Sequence, residues 1–287
     1  MNGGDALIIK GCTKVYAIFG HPVSHSLSPR MHNAAFRALN LDSVYVPFDV
    51  QPKDFETAAR AIRAMGISGV NITIPHKESI IFFLDEISPE ANLTGAVNTV
   101  KNDDGKLTGY NTDVGGFLRS IKEDLGFHPK GSNVAVIGAG GGARAVLTAL
   151  CMNDASEIYV INRTFDKAKK LAAEFKKNFK DTQIFAISLD DKEEMERSLS
   201  SANLLVNATL AGMKGVGSVG VPLELSQTAV VYDLVYEPRE THLIERAKEM
   251  GQRASGGFGM LLYQGAESFK IWTGAEAPIE VMRKAIG

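Results

Sequence analysis

The sequence holds few of the features that staple, anchor or polarise a chain. Its 287 residues include only two cysteines, Cys12 and Cys151, too few for a disulfide framework, so free thiols in a reducing compartment are expected. No stretch approaches the roughly 18 to 20 uncharged apolar residues of a membrane-spanning helix, and Met1–Lys14 lacks the apolar run of a leader. Neither charge sign dominates: 31 Lys+Arg stand against 33 Asp+Glu, a formal net charge of −2. That balance excludes a strong field for nucleic acid or an anionic membrane, and no basic block supplies one locally. The six histidines form no metal motif. His21 and His25 are separated by Pro22, which argues against a shared helical face, and no H-E-x-x-H run occurs. A G-x-S-x-G nucleophile turn is missing as well. A soluble, cytoplasmic protein without a metal site is the expectation.

What is there is an ordinary globular composition, 45% hydrophobic and 22% charged, in a chain longer than one typical domain. Lys14–Phe19, Val44–Val50 and Ile67–Ile74 read as strands. Phe55, Ala58, Ile62 and Met65 fall at helical spacing on one face. A second series starts with the apolar run Asn133–Ile137, followed by a glycine turn and a helix over Ala143–Cys151. Strands at Glu157–Ile161, Gln183–Ile187, Leu204–Asn207 and Ala229–Leu234 follow, with a helix over Asp166–Phe179. Further helices are expected over Arg239–Met250, Phe258–Trp272 and Ile279–Ala285, and the glycine-rich Ala211–Pro222 reads as a mobile loop. Strands alternating with helices predict a mostly parallel α/β architecture in two units, meeting near Asp113–Gly116.

The turn Gly138-Ala139-Gly140-Gly141-Gly142-Ala143 lies between that strand and that helix, the context in which a glycine fingerprint binds a dinucleotide. The first glycine permits the tight turn and the second lets backbone N–H groups approach a pyrophosphate. The helix N-terminus adds unpaired donors and partial positive charge. The end of the next strand selects the cofactor. An NAD enzyme usually carries an acid there for the ribose 2′-hydroxyl. This chain has Asn162-Arg163-Thr164, with Lys167 a turn later and no carboxylate before Asp166. A guanidinium suits a 2′-phosphate. NADP(H) is therefore expected, and a dehydrogenase with it.

Several further segments line up in order: Gly20–Asn33, containing Ser26, Ser28 and Pro29; Asn71–Lys77; Gly95–Thr99; and Gly109–Asp113. Asn162–Thr164, Asn207–Thr209, Tyr232–Tyr236 and Gly257–Gln264 continue the series. Together they resemble the motifs of the shikimate/quinate dehydrogenase family over nearly the whole chain. The resemblance implies two α/β domains facing a cleft. Residues 1–113 and 257–287 would form a substrate domain with a mostly parallel mixed sheet, and residues 114–256 a Rossmann-type NADP domain. It implies reversible, NADP-linked reduction of 3-dehydroshikimate to shikimate in aromatic amino acid biosynthesis, by a monomer or homodimer. An NAD-linked quinate/shikimate dehydrogenase is the alternative, and a non-catalytic redox or ligand sensor on the same scaffold a remote one.

The residues also make chemical sense alone. Ser28 is placed to cap a helix with Pro29 at its first position, and with Ser26 it offers neutral hydroxyls to a carboxylate at the helix start. The resemblance adds Tyr236 to that carboxylate site. Asn71, Thr73, Asn98 and Gln264 both donate and accept, which suits a polyhydroxylated ring, and on one strand positions 71 and 73 face the same way. Any one of them could equally serve a buried polar network. Lys77 and Asp113 are the expected proton-transfer pair: ketone reduction needs a proton at oxygen besides the hydride. Whether Lys77 alone or the pair carries it is left open. The resemblance places Thr209, Leu234 and Gly257 at the cofactor. It also exposes two departures, Leu210 and Gly256, where the family commonly has Ser or Pro and Asp respectively.

Overall fold

The computed structural model describes residues 9–287; residues 1–8, part of the stretch without a leader-like run, lie outside the described residues. In chain order the chain forms β1 (Lys14–Gly20), α1 (Ser28–Ala38), β2 (Ser43–Asp49), α2 (Phe55–Ala64), β3 (Gly69–Ile72), β4 (Glu86–Ile87), α3 (Pro89–Thr94), β5 (Thr99–Asp103) and β6 (Lys106–Tyr110). Then come α4 (Thr112–Leu125), β7 (Asn133–Ile137), α5 (Gly141–Cys151), β8 (Glu157–Asn162), α6 (Phe165–Asn178), β9 (Gln183–Ser188) and α7 (Lys192–Ser201). The last are β10 (Leu204–Asn207), β11 (Val230–Asp233), α8 (His242–Glu249), β12 (Arg253–Gly256), α9 (Phe258–Thr273) and α10 (Ile279–Ile286).

The chain divides into two compact units. Unit one holds the described residues through Ser88, with Val97–Tyr110 and Gly265–Gly287; unit two holds Pro89–Ala96 and Asn111–Gln264. Among the described residues no helix is long and apolar enough to cross a membrane.

Unit one is built on a six-stranded mixed sheet in the order β2-β1-β3-β5-β6-β4. β1 runs parallel to β2 and β3, while β5 is antiparallel to β3 and β6. The mixed, mostly parallel sheet is therefore present, with the β5–β6 hairpin supplying the antiparallel pairs. Its core is aromatic: Tyr16 lies 5.1 Å from both Phe36 and Trp272, and His32 stacks on Tyr45 at 4.6 Å between ring centroids. Burying an apolar side chain such as Phe36 in this way contributes about 1.5–3 kcal/mol.

Three local expectations change in this unit. α2 buries Phe55, Ala59 and Ile62, whereas Met65 is 69% exposed. Gly66, at φ 62°, turns the chain there, and Ile67 returns to the core instead. β3 ends at Ile72, so Thr73 is not on the strand with Asn71. α1 starts at Ser28 with Leu27 as its cap residue, so Ser28 is the first helical residue rather than the cap. The Ser28 N–H is instead accepted by the Ser26 hydroxyl at 3.3 Å.

Unit two carries an all-parallel six-stranded sheet in the order β12-β11-β10-β7-β8-β9. Val134 and Val136 of β7 enter one apolar cluster, with Val146, Leu150 and Phe117; Ala135 and Ile137 enter the other, with Leu205 and Leu243. Burial on both faces is why these strands read as continuous apolar runs. α8 begins at His242, three residues later than the expected Arg239, because the Thr241 hydroxyl caps it by accepting the Ile244 N–H. Gly251, at φ 79°, follows its end.

Candidate active site

The glycine turn of unit two has the geometry a dinucleotide needs. Gly138 adopts φ 112°, and a Cβ there would lie 2.9 Å from the Thr209 methyl and 3.0 Å from the Ala208 carbonyl. Only glycine fits. Gly140 caps α5, and a Cβ built on it meets nothing within 4 Å, so its backbone borders open space. The first-turn N–H groups of α5 have no acceptor within their own helix. Ala143 is buried against the sheet, and Leu234 packs 3.0 Å from where a Gly142 side chain would start. These residues fit a pyrophosphate.

At the end of β8, Asn162 donates from its side-chain amide to the Thr164 carbonyl at 2.8 Å, closing the turn before α6. Arg163 and Lys167 are exposed. Asp166, in the first turn of α6, lies 3.9 Å from Lys169. The exposed cations and a carboxylate already neighboured by a lysine suit a 2′-phosphate.

Thr209 fixes the loop after β10: its hydroxyl donates to Asn207 Oδ1 at 2.7 Å and accepts the Ala211 N–H at 3.1 Å. A Cβ on Gly257 would collide with the Leu234 carbonyl, so the β11 and α9 ends approach closely here. Leu210 is exposed, and a side chain at Gly256 would crowd the Arg239 and Val235 carbonyls at 3.1 and 3.3 Å.

In unit one a buried polar network collects three of the expected substrate residues. Asn71 accepts from the Tyr45 hydroxyl at 2.7 Å, and its amide faces the Asn98 carbonyl, Thr99 Oγ1 and Ser268 Oγ, each at 3.1 Å. Asn98 is held by its N–H on the Tyr110 carbonyl and by its Oδ1, which accepts from the Thr99 hydroxyl at 3.0 Å. Burial pushes the Tyr45 phenol well above its ordinary pKa, opposed by a hydrogen bond with Ser28. Tyr45 thus links Ser28 to Asn71. Thr73 is half-buried and its N–H donates to the Phe19 carbonyl; Lys77 follows in a turn whose carbonyl accepts the Val97 N–H at 2.8 Å.

Unit two supplies Asp113, Tyr236 and Gln264. Asp113 is 6% exposed in the first turn of α4, its N–H donating to the side chain of the cap residue Asn111 at 3.2 Å. Gln264 donates to the Leu261 carbonyl at 2.8 Å, and its Cβ closes on Gly116, where only glycine leaves room. Burial raises the Tyr236 phenol, with Glu237 adding to the shift.

Sequence reasoning passed over Tyr45 and gave no role to Asn111 and Asp233, although these lie inside the segments Gly109–Asp113 and Tyr232–Tyr236. Tyr45 reads as one more strand aromatic, and nothing in its neighbourhood in sequence signals the contact with Asn71. Asp233 is buried beneath the loops after β10 and β11; its carboxylate accepts from Asn207, Val235 N and the Thr241 hydroxyl at 2.8, 3.0 and 2.7 Å. Burial raises its pKa against those donors. The signal for Asp233 was its place in the segment Tyr232–Tyr236, as a polar residue closing an apolar strand. Among the described residues, no three His, Cys, Asp or Glu side chains form a group that could hold a metal ion.

The chain is similar to known proteins along nearly its whole length. The shikimate dehydrogenase substrate binding domain matches residues 18–100, shikimate / quinate 5-dehydrogenase matches 120–219, and the shikimate 5'-dehydrogenase C-terminal domain matches 257–286. The NADP(+) shikimate dehydrogenase of Methanopyrus kandleri is 47% identical, over 96% of this chain and 95% of its own. That of Geobacter metallireducens is 45% identical, over 97% of each. A shikimate dehydrogenase crystallised with NADP+ superposes with a TM-score of 0.88 at 43% identity, covering 97% of this chain and 96% of its own. The chain belongs to the shikimate dehydrogenase family.

Proposed function

We propose that the protein is an NADP-dependent shikimate dehydrogenase that reversibly reduces 3-dehydroshikimate to shikimate. The observation that carries this reading is the near-full-length likeness to relatives named for that activity, the first at 47% identity. A second support is specific to the cofactor: the end of β8 offers Asn162, Arg163 and Lys167, where an NAD enzyme usually places an acid. The two free cysteines suit a reducing cytoplasm.

NADP(H), when bound, supplies or accepts the hydride. The chain's own residues do the rest. Gly138–Gly142 and the start of α5 hold the pyrophosphate, Arg163 and Lys167 hold the 2′-phosphate, and Leu234, Thr209 and Gly257 shape the remaining wall. Ser26, Ser28 and Tyr236 hold the substrate carboxylate by hydroxyl hydrogen bonds. Asn71, Thr73, Asn98 and Gln264 orient the ring hydroxyls. Lys77 and Asp113 carry the proton: Lys77 Nζ gives it to the carbonyl oxygen as the ketone becomes an alcohol, and the pair takes it back in the reverse direction.

Comparing kcat/KM for NADPH with NADH, and for shikimate with quinate, tests the assignment. The expected result is a clear preference for NADPH and shikimate. Preference for NAD and quinate would overturn it.

A further inference from the structure

The first turn of α5 carries a side chain that cofactor binding does not explain. Arg144 is buried to 12% exposure, and its guanidinium is divided between two helices of unit two. Nε donates to the Thr94 carbonyl at 2.6 Å, at the end of α3, while Nη1 and Nη2 pair with the Glu174 carboxylate on α6. The group also lies over the Phe175 ring at 5.9 Å. Gly95 follows Thr94 at φ 64°, and a Cβ there would strike the guanidinium. The positive φ favours glycine at this position, and any side chain there would displace the Arg144 guanidinium.

The held turn reaches further. Ala96, the next residue, accepts from the Asn111 side-chain amide at 2.8 Å. The other end of the same amide, Oδ1, accepts the Asp113 N–H and caps α4. Every link lies in unit two: Glu174, Arg144, Thr94 to Ala96, Asn111, Asp113. α6, which carries Glu174, is the helix that follows Asn162-Arg163-Thr164.

We infer that Arg144 is a positioning residue for Asp113, acting through the Thr94–Ala96 turn and the Asn111 cap. This rests on the proposed role of Asp113 in proton transfer. The planar guanidinium meets the Thr94 carbonyl through Nε and the Glu174 carboxylate through Nη1 and Nη2 in one rigid fork, whereas a lysine offers a single nitrogen on a flexible stem and cannot reproduce that spacing. Losing the carbonyl arm frees the turn, lets Ala96 drift from Asn111, and loosens the cap that sets the first turn of α4. Asp113 then loses its aim, which affects turnover more than substrate or cofactor binding.

The test uses Arg144→Lys and Asn111→Ser, separately and together, with Asp113→Asn as the reference. For Arg144→Lys the expected result is a kcat about tenfold lower, with KM for shikimate and NADP+ within about threefold of the parent. Because both residues act on one path, the double variant should lose no more than about twofold beyond Asn111→Ser. In the cofactor-free protein, amide hydrogen exchange of residues 94–96 and 111–114 should quicken in Arg144→Lys. A KM for NADP+ raised about tenfold at unchanged kcat would make Arg144 a cofactor ligand and overturn the inference. So would losses that multiply in the double variant, or a lowered melting temperature with kcat and exchange at α4 unchanged. Should Arg144→Lys fail to fold, Glu174→Gln, at a partly exposed site, loosens the same guanidinium and is expected to lower kcat by about threefold; unchanged turnover there would overturn the inference. If Asp113→Asn itself keeps full turnover, the proposed role of Asp113 fails and the inference with it; if only Asp113→Asn loses turnover, the inference alone fails.

Discussion

His32 gives the sharpest test of the packing in unit one. The side chain is 0% exposed and neither ring nitrogen has a hydrogen-bond partner among the described residues. It stacks on Tyr45 at an interplanar angle of 13° and lies 5.3 Å from the Trp272 ring. Burial lowers its pKa from 6.5 to about 3. The unfolded chain takes up the proton near pH 6.5, whereas the folded chain resists it until about pH 3. Between those values the unfolded state binds more protons, so stability rises with pH. The stabilisation is complete above about 6.5 and is lost progressively as pH falls towards about 3. At about 1.4 kcal/mol per pH unit, the loss at pH 5 is about 2 kcal/mol. Denaturant unfolding at pH 7.5 and pH 5, followed by the fluorescence of Trp272, measures it. Other titrating groups contribute to that difference, so the same pair of measurements on His32→Leu serves as the reference. The parent should lose about 2 kcal/mol more than the variant between the two pH values. Equal losses, within about 0.5 kcal/mol, would show that His32 is solvated or hydrogen-bonded, and the reasoning would fail.

Lys77→Ala is expected to lower kcat by about 100-fold or more, with shikimate affinity changed less; steady-state kinetics with a binding titration separate the two, and near-normal turnover would assign the proton to another group. Tyr45→Phe removes the hydroxyl donated to Asn71 and should raise KM for shikimate several-fold while KM for NADP+ stays unchanged, since the network lies wholly in unit one. Arg163→Ala should lower kcat/KM for NADPH by about 10- to 100-fold and leave NADH almost unaffected; an equal loss for both would remove Arg163 from the 2′-phosphate.

The features that were legible in the sequence are those decided by neighbours along the chain. β7 has the bounds Asn133–Ile137 read from its apolar run, because burial on both faces leaves no polar position to blur them. The glycine turn is likewise local, since positive φ at Gly138 needs a residue type and not a partner. Where the outcome depends on distant residues, the reading gave way. Met65 fits the helical stripe of α2, yet Gly66 turns the chain before it can reach the core. α7 went unseen because its buried apolar side chains are only Met195 and Leu199 among charged neighbours. Ser28 is the first residue of α1 and not its cap, since Leu27 takes the cap position with helical backbone angles. Tyr45 and Arg144 act on residues far away in sequence, and no spacing rule finds such contacts.

The discontinuity of unit one also sets an order of events when the chain is made. β1, β3 and α1 are synthesised early, but partners that complete their core come last. Asn71 meets Ser268 across 197 residues, and the Trp272 indole donates to the Val100 carbonyl across 172. Unit two, ending at Gln264, has all its parts while the residues covering the aromatic face of unit one are still to be added. Closing so long a loop is slow, and until then Phe36 and Tyr45 remain accessible to water and to other nascent chains. The aromatic cluster that secures the finished protein is therefore its exposed flank during biosynthesis.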